Sequence, residues 1–367
     1  MLDLQTLRPE ERAGLRLRAL YRRRGYLPYR MSRFEPYDLY ARNKSFLVSE
    51  HILTFTDTDG RLMALKPDVT LSIVRSAPGG GTTQKVYYQE NVYRTSPAAA
   101  GYREIPQAGL ECIGSLDLLD VAEVLELAAE SLALLSGSYL LELGHAGVVS
   151  ALLEGLPENA RPGALEELGR KNTAALRALC AQAGADPAQA ERLCRLAQLH
   201  GTPGEVLPQL SRLAGSAAGE AQAELGRLCA LLERRAPAER LRLDFSIVND
   251  MRYYNGVIFR GCLPGLASGV LAGGRYDNLL RRMGKTGGAV GFAVYLDQLE
   301  RLEEEDGYDV DVLLLYSPGD DPAAVSRLAG ELREEGRSVR LGRSAPPGLR
   351  CRETLRFGEG GGRSWTC

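Results

Sequence analysis

"IVNDMRYYNGVIFRG", Ile247 to Gly261, sets two adjacent tyrosines just before a Gly-Val-Ile-Phe run. The β-branched and aromatic residues on both sides read as strand, with the tyrosines at the connection. Working outward, "RLRLDFSIV" precedes it, and "SGVLAGG" and "GGAVGFAVYLDQLERL" follow it. The last of these reads as a strand running into a helix. Short connections between such runs describe an antiparallel-type sheet. The tyrosines suit the wall of a small-ligand pocket. An extended backbone would send their rings to opposite faces, one to a ligand and the other to the core.

The N-terminal part carries the same signals. Pro9 to about Arg24 reads as an amphipathic helix stopped by Gly25. "YLPYRM" is strand-like. In "ILTFTDTDGRLMALKPD", alternation on both sides of Asp59-Gly60 marks a hairpin. "VTLSIVRSA" starts a helix after Pro67. "QKVYYQENVY" and "GLECIGS" read as strands joined by a loop that holds "TSPAAAGYRE", and "LLDVAEVLELAAESLALLS" is a helix before the strand "SYLLELGH". From 147 to 238 the chain turns dense in Ala, Leu, Glu and Arg, with Gly and Pro at breaks, which reads as an all-helical insertion. The expected fold is α+β: an antiparallel sheet flanked by helices, built from 1–146 and 239–302 around that insertion. A linker, Glu303–Asp309, leads to one βαβ unit at 309–343. The stretch 344–367, rich in Gly, Arg and Pro and without periodicity, reads as a disordered tail.

With 367 residues, 44% hydrophobic and 25% charged, the chain can bury a sizeable core. A net charge of −2 is a poor footprint for a dedicated nucleic-acid binder. The densest basic run, "YRRRG" at Tyr21–Gly25, suits a helix C-terminus. Seven cysteines without a C-x-x-C pair, no basic-then-apolar leader and no long apolar run imply a reducing, cytoplasmic setting without membrane attachment. The three histidines lie far apart and lack cysteine neighbours, so no metal site is expected. No P-loop or dinucleotide fingerprint is present, and no cofactor is expected.

Separated stretches share one resemblance: "FEPYDLY" with "LMALKPDVT", then "NVYRTSPAAAGYREIPQAGLECIG", "RYYNGVIF" with "GVLAGGRYDNLL", and "GGAVGFAVYLDQLERL". In this order they resemble the core of histidyl-tRNA synthetases and their paralogue, the regulatory subunit of ATP phosphoribosyltransferase. The resemblance spans about Leu7 to Leu302. It implies a class II synthetase-like fold that dimerises through its first motif. It also implies a histidine pocket of Asp68, Thr70, Arg94, Gln107, Glu111, Tyr253 and Tyr254, with Asp68 and Thr70 at the amino group and Glu111 at the imidazole. From the residues alone, Asp68 reads equally as the N-cap of the following helix. Glu111, opposite in direction to Leu110 and Cys112, reads from the residues alone as the wet face of a strand rather than a ligand contact.

Amino-acid activation requires arginines against the charge developing on the ATP α-phosphate. Against the family pattern, Arg94 is kept, but Ser96 stands in place of a glutamate, and Asn249 and Gln298 stand in place of arginines. Arg252 lies nearby, displaced along the chain. Tyr295 replaces a glycine and would push its ring into the adenine site. Each lost contact is worth ~3 kcal/mol, so two remove a factor of ~10⁴. The implied profile is a regulatory subunit without catalytic residues. It would work as a homodimer within a hetero-oligomer with the short-form ATP phosphoribosyltransferase catalytic subunit, take L-histidine as effector and bind no tRNA. A divergent histidyl-tRNA synthetase and a stand-alone histidine sensor are the alternatives.

Overall fold

The computed structural model describes residues 7–47, 51–78, 82–96, 99–247, 253–301, 308–358 and 363–366. The chain divides into two compact units, Met1–Leu302 and Glu303–Cys367.

The first unit opens with α1 (Pro9–Arg23) and the short strand β1 (Leu27–Pro28). Then come β2 (Phe34–Pro36), α2 (Tyr37–Ala41), β3 (Thr54–Thr56) and β4 (Leu62–Leu65), with β3 and β4 paired antiparallel across the Asp59-Gly60 turn. α3 (Thr70–Ser76) leads to β5 (Gln84–Ser96) and β6 (Ala99–Gly114). These two form a long hairpin, so most of "TSPAAAGYRE" is strand rather than the expected loop. Continuous pairing from Gln84↔Ile113 to Thr95↔Tyr102 satisfies backbone groups that a loop would leave to water. α4 (Leu118–Leu135) is fixed at its start by Asp117, whose Oδ1 accepts from the amides of Leu119 and Asp120 at 2.8 and 2.9 Å. Its buried face, with Val121, Leu125, Ala128 and Leu132, belongs to the main core.

β7 (Leu140–His145) is followed by α5 (Ala146–Leu153), α6 (Arg161–Gly169), α7 (Thr173–Gln182) and α8 (Pro187–Gln198). β8 (His200–Gly201), α9 (Pro203–Ala214) and α10 (Gly219–Leu232) complete the inserted stretch. That stretch is not wholly helical, because β8 pairs antiparallel with β9 (Leu241–Asp244) and so joins the sheet. β10 (Val257–Cys262), β11 (Leu271–Arg275), α11 (Asp277–Arg282) and β12 (Gly288–Tyr295) finish the unit. Among the described residues, β1-β5-β6-β12-β11-β10-β7-β9-β8 form one sheet, antiparallel except where β1 meets β5 and β7 meets β9. One apolar cluster joins α1, α4, the sheet and the inserted helices, and a second lies around α3 and α11. No helix among the described residues is long and apolar enough to cross a membrane.

The second unit holds β13 (Val310–Leu315), α12 (Pro322–Glu334), β14 (Val339–Gly342), β15 (Cys351–Phe357) and β16 (Arg363–Thr366), in the order β14-β13-β15-β16. The expected disordered tail at 344–367 therefore contains two strands. The single βαβ unit is part of a wider sheet in which β13 pairs in parallel with both β14 and β15. The reason is burial: Val312 and Leu314 need cover, and Leu355 and Phe357 alternate along β15 to supply it. Arginines and glycines around those two residues mask the alternation in the sequence. Leu355→Ala should cost the second unit about 2–5 kcal/mol. Hydrogen exchange of the β13 amides in the full chain reads this, and unchanged protection would mean that β15 contributes nothing to that core.

Candidate functional site

The turn between β4 and α3 is bolted to β5. The Tyr93 amide donates to the Lys66 carbonyl at 2.9 Å, and Arg94 Nε donates to the Pro67 carbonyl at 2.7 Å. This presents Asp68 and Thr70 at the start of α3. Asp68 stands one residue before the N-cap of α3, Val69, and still ties down the first turn. Oδ1 accepts from the Leu71 amide at 2.8 Å, while Oδ2 lies 3.7 Å from Arg94 Nη2. Burial raises the Asp68 pKa, and Arg94 and the Leu71 amide act against that rise.

On β6, Gln107 and Glu111 point to one face, while Ala108, Leu110 and Cys112 enter the main core on the other. The face that carries Glu111 is not the wet one: Glu111 is 2% exposed. Thr70 Oγ1 donates to Glu111 Oε1 at 2.8 Å, and the Tyr276 hydroxyl donates to Oε2. Gly291 stands directly opposite Glu111 on β12, and a Cβ there would come within 1.7 Å of Oε2. The carboxyl group thus lies over bare backbone. Burial pushes its pKa up to about 8, with the two hydroxyl donors pulling the other way.

The connection before β10 is not extended, which corrects the expectation for the tyrosine pair. Tyr253 and Tyr254 meet edge-to-face at 4.7 Å between ring centroids, and both line the same cavity. Tyr276 lies 5.5 Å from Tyr253. The cavity, about 470 Å³, is lined by all seven expected residues: Asp68, Thr70, Arg94, Gln107, Glu111, Tyr253 and Tyr254. Its size is ordinary for a small-molecule site. Gln107 Nε2 is buried and, among the described residues, has no hydrogen-bond partner, so it offers a donor to whatever enters. Sequence reasoning missed Tyr276, Tyr88 and Phe292 in the lining. Tyr276 had one signal, its place between Arg275 and Asp277 at a strand end. Tyr88 and Phe292 lie within strands and had none.

Residues 2–299 match the histidyl-tRNA synthetase family. The chain belongs to that family. Among its relatives is the ATP phosphoribosyltransferase regulatory subunit of Symbiobacterium thermophilum, 34% identical over 306 residues, spanning 80% of this chain and 76% of that protein. A solved ATP phosphoribosyltransferase regulatory subunit/histidyl-tRNA synthetase from Bacillus halodurans is similar with a TM-score of 0.72 at 25% identity, over 93% of this chain and 90% of that one. A chain of an ATP phosphoribosyl transferase complex from Thermotoga maritima shares the fold, with a TM-score of 0.62 at 21% identity over 78% and 97% of the two chains.

The positions that depart from this family's pattern do not form one group. Tyr295 lines the same cavity, opposite Gln107 in register. Gln298 lies outside the lining: its Oε1 accepts from Ser268 Oγ at 3.3 Å and its Nε2 donates to Asp297 Oδ2 at 3.1 Å. Asn249 and the side chain of Ser96 fall outside the described residues.

A folded-state pKa near 8, above the ordinary 4.5, means that Glu111 keeps a proton the unfolded chain releases between those values. Its favourable contribution to stability is complete below the lower value and is lost as pH rises through the upper one. Relative to Glu111→Gln, the native chain should therefore lose stability as pH rises from about 4.5 to about 8, read by urea unfolding. A pH-independent difference would show that Glu111 is already ionised in the fold.

Proposed function

We propose that the chain is a regulatory subunit of ATP phosphoribosyltransferase, which binds L-histidine in this cavity and supplies no catalytic residue. The observation that carries the reading is convergence. Residues spread from Asp68 to Tyr254 line one cavity whose acceptors, donors and aromatic walls fit an amino acid bearing an imidazole. Asp68, beside Thr70, accepts the ammonium. Gln107 Nε2 and Arg94 are the donors for the carboxylate. Glu111, held by Thr70 and Tyr276, accepts from the imidazole, and the tyrosines flank the ring. The names of the relatives support the assignment to the transferase, and the fold shared with a chain of the Thermotoga maritima complex agrees with assembly. The partner is the short-form catalytic subunit, met by a homodimer of this chain within a hetero-oligomer.

Regulation follows from linkage. Histidine inhibits only as far as it binds one state of the complex better than another, and such coupling is typically ~1–3 kcal/mol. Lack of activation is supported by the replacement of two arginines by Asn249 and Gln298. The Gln298 amide is committed to Ser268 and Asp297, and the Tyr295 ring occupies lining that the family leaves open.

Histidine-dependent ATP–pyrophosphate exchange should stay at background, and exchange at ~1 s⁻¹ or above would identify a synthetase instead. Mixed with the short-form catalytic subunit, the chain should form a larger assembly by light scattering, raise transferase activity and make it histidine-sensitive. A partner that is fully active alone and shows no assembly removes the regulatory reading. Above about pH 8, where Glu111 is ionised, Glu111→Gln keeps the shape and removes an ionic hydrogen bond worth ~1.5–3 kcal/mol, so calorimetric histidine affinity should fall roughly ten- to a hundredfold while assembly persists. Unchanged affinity would place the effector elsewhere.

A further inference from the structure

The tyrosine wall is clamped from behind by a chain of charged and polar groups. Arg275, the last residue of β11, donates from Nε to both carboxylate oxygens of Asp277, at 2.9 and 3.1 Å. Asp277 holds the turn after the tyrosine pair: its amide donates to Asn255 Oδ1 at 2.7 Å, and the Asn255 amide donates to the Arg275 carbonyl at 2.9 Å. Gly256 lets the arginine pass, since a Cβ there would lie 2.9 Å from Arg275 Cδ. Tyr276, between the two charged residues, reaches Glu111. One clamp therefore sets the backbone of Tyr253, Tyr254 and Tyr276 together.

The clamp does not end at the sheet. Arg275 Nη1 lies 3.5 Å from Glu224 Oε1 on α10, within the inserted stretch. Glu224 Oε2 lies 3.4 Å from Nε2 of His145, which is buried at the end of β7. His145 Nδ1 accepts from the Gly147 amide at 3.1 Å, so Nε2 carries the proton and donates to Glu224. The Ala146 amide donates to the Gly256 carbonyl at 2.8 Å, which returns the chain of contacts to the tyrosine turn. The loop is closed: ligand wall, Asp277, Arg275, Glu224, His145, and back to the wall.

We infer that Glu224 and Arg275 are positioning residues through which helix α10 sets the geometry of the ligand-facing tyrosines, so that ligand occupancy and the state of the inserted helices are coupled. The inference rests on the proposed histidine site for its ligand, but its mechanical part does not. A ligand that pulls Tyr276 and Glu111 together also loads Asp277 and Arg275, and α10 takes up that load through Glu224. Reciprocity requires the reverse: loosening Glu224 must weaken the ligand.

The test compares the full chain with Glu224→Gln, Arg275→Lys and, as a control, Glu220→Gln, an exposed charge on the same helix outside the clamp. Glu224→Gln should weaken histidine binding by about two- to thirtyfold, the usual range for coupling through a network, with Arg275→Lys behaving alike and Glu220→Gln unchanged. Saturating histidine should protect α10 amides from exchange in the parent chain and fail to do so in Glu224→Gln. Parent-like affinity in Glu224→Gln, or protection confined to the cavity, overturns the coupling and leaves the histidine site standing. If histidine does not bind the parent chain, the ligand reading falls, and exchange without ligand decides the clamp. Faster exchange of the Asn255 and Asp277 amides in Glu224→Gln supports it, and unchanged exchange overturns it.

Discussion

A carboxyl group buried at the centre of a sheet is the constraint that the rest of this molecule accommodates. An ionised carboxylate taken out of water costs several kcal/mol unless it is paired. Among the described residues, the fold pairs Glu111 with no cation. It supplies the Thr70 and Tyr276 hydroxyls and the bare backbone of Gly291, and the group responds by holding its proton. A cavity built this way is closer to neutral than its two carboxyl groups suggest. A ligand bearing a positive charge or strong N–H donors offsets the cost of ionising Glu111, and an apolar ligand does not. The proposed histidine site would draw its preference for such ligands from this arrangement.

The same constraint explains how the surrounding elements are arranged. Glu111 needs Thr70, so the β4–α3 turn is held against β5 by Tyr93 and Arg94. It needs Tyr276, so the end of β11 is held by Asp277 and Asn255. Arg94 illustrates how a site residue is shared. Its Nε is occupied by the Pro67 carbonyl, which leaves the Nη atoms to face Asp68 and the cavity. A guanidinium fixed in this way is a preorganised receptor for a carboxylate. It is less suited to following a phosphoryl group through a reaction, where charge must be met by several cations at once.

Local order in the sequence was a good guide where the signal is local. The Asp59-Gly60 turn, the helix that became α4 and the opposition of Glu111 to Leu110 and Cys112 each depend on neighbours a few residues away. Motif order also brought seven residues to one ligand, and the structure lines one cavity with all of them. Legibility ended where the partner is distant. The strands after Ser344 became visible only as cover for Val312 and Leu314, because isolated alternation of Leu355 and Phe357 among arginines is too weak to register.

What the sequence by itself determined is therefore the set of chemical groups, their directions along each strand and the punctuation between elements, since all three follow from side-chain type and backbone period. What only the tertiary structure decided is which groups meet. It placed both tyrosines on one side, put Gly291 beneath Glu111, recruited Tyr276 and joined Arg275 to a glutamate on α10. These contacts come from strand register and from a turn that is not extended. Both are set by the packing of remote segments, and no window of the chain contains the two partners at once.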